Sequence, residues 1–82
     1  MRATILSHSG VPDGHAEVHR FGFVLEDGDD APPYAEMISL RTARVIVADS
    51  ENGNAFVNML REIVAAAPGS YDLLIGRAFA DE

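Results

Sequence analysis

The chain has 82 residues, with thirteen Asp and Glu against six Arg, no Lys and no cysteine, for a formal charge of −7. That length suits one domain over residues 1–82 and excludes two, and the missing cysteines exclude disulfide staples and thiolate metal sites. An apolar fraction of 48% excludes a disordered chain, and the negative charge opposes direct binding of nucleic acid, whose phosphates it repels.

Arg2 to Ser7 alternates well enough for a first short strand, and Ser9-Gly10-Val11-Pro12-Asp13-Gly14 is punctuated as a loop. His15 to Leu25 follows as a stronger strand. One face carries His15, Glu17, His19, Phe21, Phe23 and Leu25, with the aromatic end expected in the core and the histidine end projecting past it. Glu26 to Pro33 is an acidic connection whose two prolines forbid a regular ladder. Tyr34 to Leu40 resumes an extended pattern. After a bend at Arg41-Thr42, the β-branched run Ala43 to Ala48 predicts a further strand.

Asp49, Ser50 and Asn54 each offer an N-cap for the helix that follows. Phe56, Met59, Leu60, Ile63, Val64 and Ala67 fall at i, i+3, i+4, i+7, i+8 and i+11, which is one apolar stripe. Pro68-Gly69 ends that helix, Tyr71 to Ile75 predicts a last strand, and Gly76 to Glu82 trails as a tail. The expected fold class is α+β: a mostly antiparallel sheet of four to five strands with one amphipathic helix on one face, in the order β-β-β-α-β. Because Val45-Ile46-Val47 and Leu73-Leu74-Ile75 are apolar on both strand faces, something is expected to cover the second face, whether the first strand and loops, a second copy of the chain or a different protein, and a homodimer or a tight complex is expected.

Four constellations bear on chemistry. His15, Glu17 and His19 share one strand face, with His8 and Asp13 near in sequence, and supply imidazole and carboxylate ligands for Zn²⁺ or a similar ion. Residues two apart on a strand lie about 7 Å apart, so this spacing permits a metal without specifying one, and no cofactor is expected. Asp49 to Asn54 precedes a helix as anion sites do, but it matches no phosphate-binding motif and its carboxylates repel anions. Glu26-Asp27-Gly28-Asp29-Asp30 lacks the twelve-residue spacing of a calcium loop. Ser7, Ser9, His8 and Asp13 supply the atom types of a nucleophile and base without an elbow or oxyanion loop around them, so no catalytic residue is expected.

The reading that remains is a small non-enzymatic binding protein: an inhibitor, adaptor or subunit that meets a basic protein surface through Glu26, Asp27, Asp29, Asp30 and Tyr34. In size and charge alone the chain resembles phage-encoded inhibitors of bacterial defence complexes (anti-CRISPR proteins) and toxin-neutralising immunity proteins. The resemblance implies carboxylates occupying a basic nucleic-acid channel in place of phosphate. The alternative is a metal- or ligand-binding domain built on His15, Glu17 and His19. No apolar run approaches the roughly 20 residues of a membrane span, and the N-terminal run is short for a signal peptide, so no membrane partner and a cytoplasmic location are expected.

Overall fold

The computed structural model describes residues 1–10, 18–28, 31–51 and 53–81. Alternation drives the first two strands, β1 (Arg2–Ser9) and β2 (Arg20–Glu26), which pair antiparallel and turn Ala3, Ile5, Phe21 and Phe23 into the core. β2 also pairs antiparallel with β3 (Tyr34–Ser39), which contributes Ile38 to the same face. A short β4 (Ala78–Ala80) lies antiparallel to the start of β1, matching Arg2 with Ala80 and Thr4 with Ala78. The sheet is four-stranded in the order β3-β2-β1-β4. The molecule is an α+β fold with a mostly antiparallel sheet, as its residue patterns imply.

One irregularity in β1 matters for everything at that end. Ile5 faces Phe23 and Ser7 faces Gly22, so Leu6 is an extra residue with no partner across the ladder. A bulge of this kind flips the side-chain alternation beyond it. Odd-numbered residues point inward up to Ile5. After the bulge His8 lies opposite the buried Phe21 and takes the inward position.

Among the described residues there are two α-helices where the sequence predicts one. The run predicted as the end of a strand and a further strand is α1 (Leu40–Asp49). Ser39 caps it, its Oγ accepting the Thr42 N–H at 3.1 Å. Leu40 and Ala43 are buried with Ile46 and Val47 packed at the core margin, whereas Arg41, Arg44, Val45 and Ala48 face solvent. Those solvent positions fall at i, i+3, i+4 and i+7, a helical period that prevails over the strand preference of Val45-Ile46-Val47 because α2 gives the inner stripe something to pack on. α2 (Ala55–Ala65) has Asn54 as N-cap, the Oδ1 accepting the Val57 N–H at 2.8 Å. It buries Met59, Leu60 and Ile63 from the predicted stripe, and also Ala55 and Val57. Ala67 lies beyond its end and is exposed.

Tyr71 to Ile75 is not a strand either. Residues Pro68–Leu74 form a 3₁₀ segment in which Tyr71 and Leu74 are buried and Asp72 and Leu73 are exposed. The three-residue spacing of the buried pair is the period of a 3₁₀ turn. Pro68 starts it at a position where no backbone donor is needed. The core joins the inner sheet face to Leu40, Ala43, Met59, Leu60, Ile63, Tyr71 and Leu74.

These assignments remove the premise for a covered second face. Val45-Ile46-Val47 lies in α1, and Leu73-Leu74 ends the 3₁₀ segment with Ile75 as its exposed cap, so these apolar runs are not two-faced strands and do not demand a homodimer. The sheet's other face presents Thr4, Ser7, Val24, Ala35 and Met37, with Ser7, Ala35 and Met37 exposed. Among the described residues no helix is long and apolar enough to cross a membrane.

Candidate functional site

The strand register gathers one group of carboxylates at one end of the sheet. Arg2 faces Glu26 on one side and Ala80 on the other, while Leu25 faces Tyr34. Glu26, Asp27, Tyr34 and Asp81 therefore share that end. Asp29 and Asp30, which the sequence places in the same acidic site, lie outside the described residues.

Each of these groups has a partner that sets its availability. Arg2 donates to Glu26 Oε1 at 2.9 Å, and the Met1 α-amino group donates to Asp81 Oδ2 at 2.9 Å while standing 3.8 Å from Asp27. Asp81 Oδ1 also accepts the Ala55 N–H at 2.6 Å, so a residue in the predicted tail serves the first turn of α2. Its carboxyl is held below the ordinary range, first by the hydrogen bond from the α-amino group and then by that from Ala55. The Tyr34 hydroxyl donates to Glu36 Oε2 at 2.9 Å, and Glu36 Oε1 accepts the Met37 N–H at 3.2 Å. Glu36 is accordingly held below its ordinary value by Tyr34 first and Met37 second, and the same bond raises the Tyr34 phenol. Asp27, 77% exposed at its side chain, is the carboxylate with the weakest internal engagement of these. Tyr34, at the same end of the sheet, is 56% exposed.

A second cluster forms at the opposite end, where the sequence gives no single motif for it. His8 Nδ1 lies 3.0 Å from Asp72 Oδ1, and His8 Nε2 lies 3.0 Å from His19 Nδ1. The carboxylate can only accept, so Nδ1 of His8 carries a proton, and with both rings neutral its Nε2 accepts from Nδ1–H of His19. Tyr71 presses edge-on against His8, His19 and Phe21, with ring centroids 5.1, 5.0 and 5.2 Å away. The His19 carbonyl accepts the Leu40 N–H at 2.9 Å, fixing the start of α1 to the start of β2.

Expected and observed places differ here for identifiable reasons. His19 does not project past the core; it is 2% exposed. His15 and Glu17, its companions in the metal alternative, lie outside the described residues, and among the described residues no group of three His, Asp or Glu side chains is arranged to hold a metal ion. His8 comes inward only because of the bulge at Leu6, and Asp72 reaches it from 64 residues away. No local signal encodes either event. The parity of His19 with Phe21 and Phe23 was the one legible clue to its burial. No family model matches the chain, and comparison with curated proteins and with solved structures returns no match either.

Proposed function

We propose that the chain is a non-enzymatic binding module that docks a basic protein surface against the acidic end of its sheet, as an inhibitor of the anti-CRISPR type does. The observation that carries this reading is the exposed pair Tyr34 and Asp27. Tyr34 is an aromatic anchor oriented by its bond to Glu36, and it shares its end of the sheet with Asp27, a carboxylate open to a partner's Lys or Arg. A fixed aromatic loses little entropy on binding, and the carboxylates around it select a cationic partner and speed the encounter. Glu26 is already paired with Arg2, so it joins only if a partner cation displaces Arg2, whose guanidinium then returns to solvent. Asp29 and Asp30, which follow Asp27 closely in sequence, lie outside the described residues.

The test is titration of ¹⁵N-labelled protein with an arginine-rich peptide at several salt concentrations. The expected result is chemical-shift change confined to Glu26, Asp27 and Tyr34 to Met37, with affinity falling as salt rises. Asp27→Asn with Tyr34→Ala is expected to weaken binding at least about tenfold, since losing an interface anchor costs more than about 1 kcal/mol. Asp49→Asn with Glu51→Gln serves as a control that removes charge elsewhere on the surface and is expected to leave binding nearly unchanged. Equal losses in both variants would reduce the effect to net charge and overturn the site.

A further inference from the structure

The two histidines meet in a way that a distance alone does not reveal. With partial-double C–N bonds of about 1.33 Å, a five-membered ring has a radius of about 1.1 Å. Two ring nitrogens 3.0 Å apart reach the observed centroid separation of 5.3 Å only if they point straight at one another. The ring planes differ by 13°, so the rings lie edge to edge in nearly one plane. That is a linear hydrogen bond. Two ligands of one metal ion would instead aim at a third point, bringing the centroids closer for the same nitrogen distance.

A linear nitrogen-to-nitrogen bond needs one proton between the rings, never two. With both rings neutral, His8 donates from Nδ1 to Asp72 and His19 donates from Nδ1 to His8 Nε2. One added proton is accommodated: His8 becomes the cation between the Asp72 carboxylate and His19, donating from both nitrogens, and the displaced proton sits on His19 Nε2. A second added proton sets Nε2–H against Nδ1–H and two cations 3.0 Å apart, and no rearrangement of protons satisfies the pair.

We propose that Asp72, His8 and His19 form a proton-counting latch that stays closed with no or one added proton and opens with two, loosening the neck between Gly10 and Val18 and the 3₁₀ segment. The neck depends on the closed form. Gly10 packs so closely that an added Cβ would lie 2.7 Å from the Val18 carbonyl and 2.8 Å from His19 Nδ1. The 3₁₀ segment is tied at the same point by Asp72 and by Tyr71, which packs edge-on against both rings.

Among the described residues, the charged and titratable groups around the latch are few. Asp72 and the Tyr71 phenol come from the 3₁₀ segment, Arg20 follows His19 on β2, and Arg41 and Arg44 lie on α1 just beyond Leu40. The arginines oppose a second positive charge, and Asp72 favours the first. Asp13, His15 and Glu17 belong to the intervening segment, which is outside the described residues.

Imidazole ¹⁵N spectra of the full chain between about pH 8 and 5, the range in which histidine charge changes, read the latch directly. The expected result is Nδ1–H on both His8 and His19 at the alkaline end, with a through-hydrogen-bond coupling between His8 Nε2 and His19 Nδ1. That coupling survives the first proton and vanishes with the second, as Tyr71 becomes open to a fluorescence quencher. Asp72, at 81% side-chain exposure, is replaceable without loss of folding, and Asp72→Asn is expected to move the opening to higher pH. His19→Gln retains a donor and an acceptor but cannot charge, so Tyr71 is expected to stay protected throughout that range. Absence of the coupling at the alkaline end, or Tyr71 protected in the wild type after both rings are charged, would overturn the proposal.

Discussion

Gly10 holds φ at +127° with its α-carbon against the Val18 carbonyl, and Gly28 holds φ at +99° with nothing within 4 Å of where a Cβ would stand. The two glycines therefore separate conformational strain from steric conflict. Gly28→Ala is expected to cost about 1 kcal/mol of unfolding free energy, from φ alone. Gly10→Ala adds a clash with backbone that cannot yield and is expected to cost about 2 kcal/mol or more. Urea unfolding of both variants measures the difference. Equal losses would mean that the neck at Gly10 and His19 is looser than its geometry implies. The same scale explains Glu36: a carboxylate fixed along the open edge of β3 by Tyr34 and Met37 is a charge that discourages another strand from pairing there.

At the scale of elements, the stability of the helical layer rests on α2. Ile63 is fully buried against the sheet and α1, so Ile63→Ala is expected to cost about 2–5 kcal/mol by transfer and cavity terms. For an 82-residue chain whose whole stability is about 4–12 kcal/mol, that loss approaches unfolding. Val45 and Leu73 test the two segments that are not strands. Val45 is 58% exposed on α1 and Leu73 is 77% exposed on the 3₁₀ segment. Val45→Ala is expected to be neutral or to stabilise by about 0.5 kcal/mol through helix propensity, and Leu73→Ala to change stability by no more than about 0.5 kcal/mol. In two-faced buried strands each would cost about 1 kcal/mol or more. Circular dichroism with urea unfolding distinguishes these outcomes.

For the whole molecule, pH acts through the bond that ties its first residue to its last strand. The Asp81 carboxyl lies below its ordinary 3.8 in the folded state, because the α-amino group of Met1 and the Ala55 N–H both donate to it. Its contribution is therefore present above the unfolded value and is lost as pH falls through the lower folded value. The α-amino group lies above its ordinary 8.0, chiefly through the same hydrogen bond from its side. Its contribution is complete below 8.0 and is lost as pH rises through the raised folded value. Glu36 adds to the acid limb with the same sign as Asp81. Stability from these groups is thus level between the two limbs, and Asp81→Asn is expected to flatten both, shallowly, since the groups are exposed and salt screens them. Unfolding free energies from about pH 3 to 10 measure this. An alkaline limb unchanged in the variant would remove Asp81 as its cause.

Much of this architecture is written locally. The alternation of Ala3 and Ile5 and of Phe21 and Phe23, the apolar stripe of Met59, Leu60 and Ile63, the cap at Asn54 and the acidic turn at Glu26 and Asp27 are all properties of short windows, and short windows suffice for them. The tertiary structure alone decided three matters. Val45-Ile46-Val47 became helix because α2 offers α1 a partner along one stripe, and packing outweighs the strand preference of β-branched residues. Ala78 to Ala80 became a strand because β1 had an edge to pair, which no property of Ala-Phe-Ala announces. His8 met Asp72 and His19 because one extra residue at Leu6 reversed the alternation and the 3₁₀ segment arrived from the far end of the chain. Periodicity reports which way a side chain points within its own element, whereas register shifts and pairings across the chain depend on free energies that only the assembled core supplies.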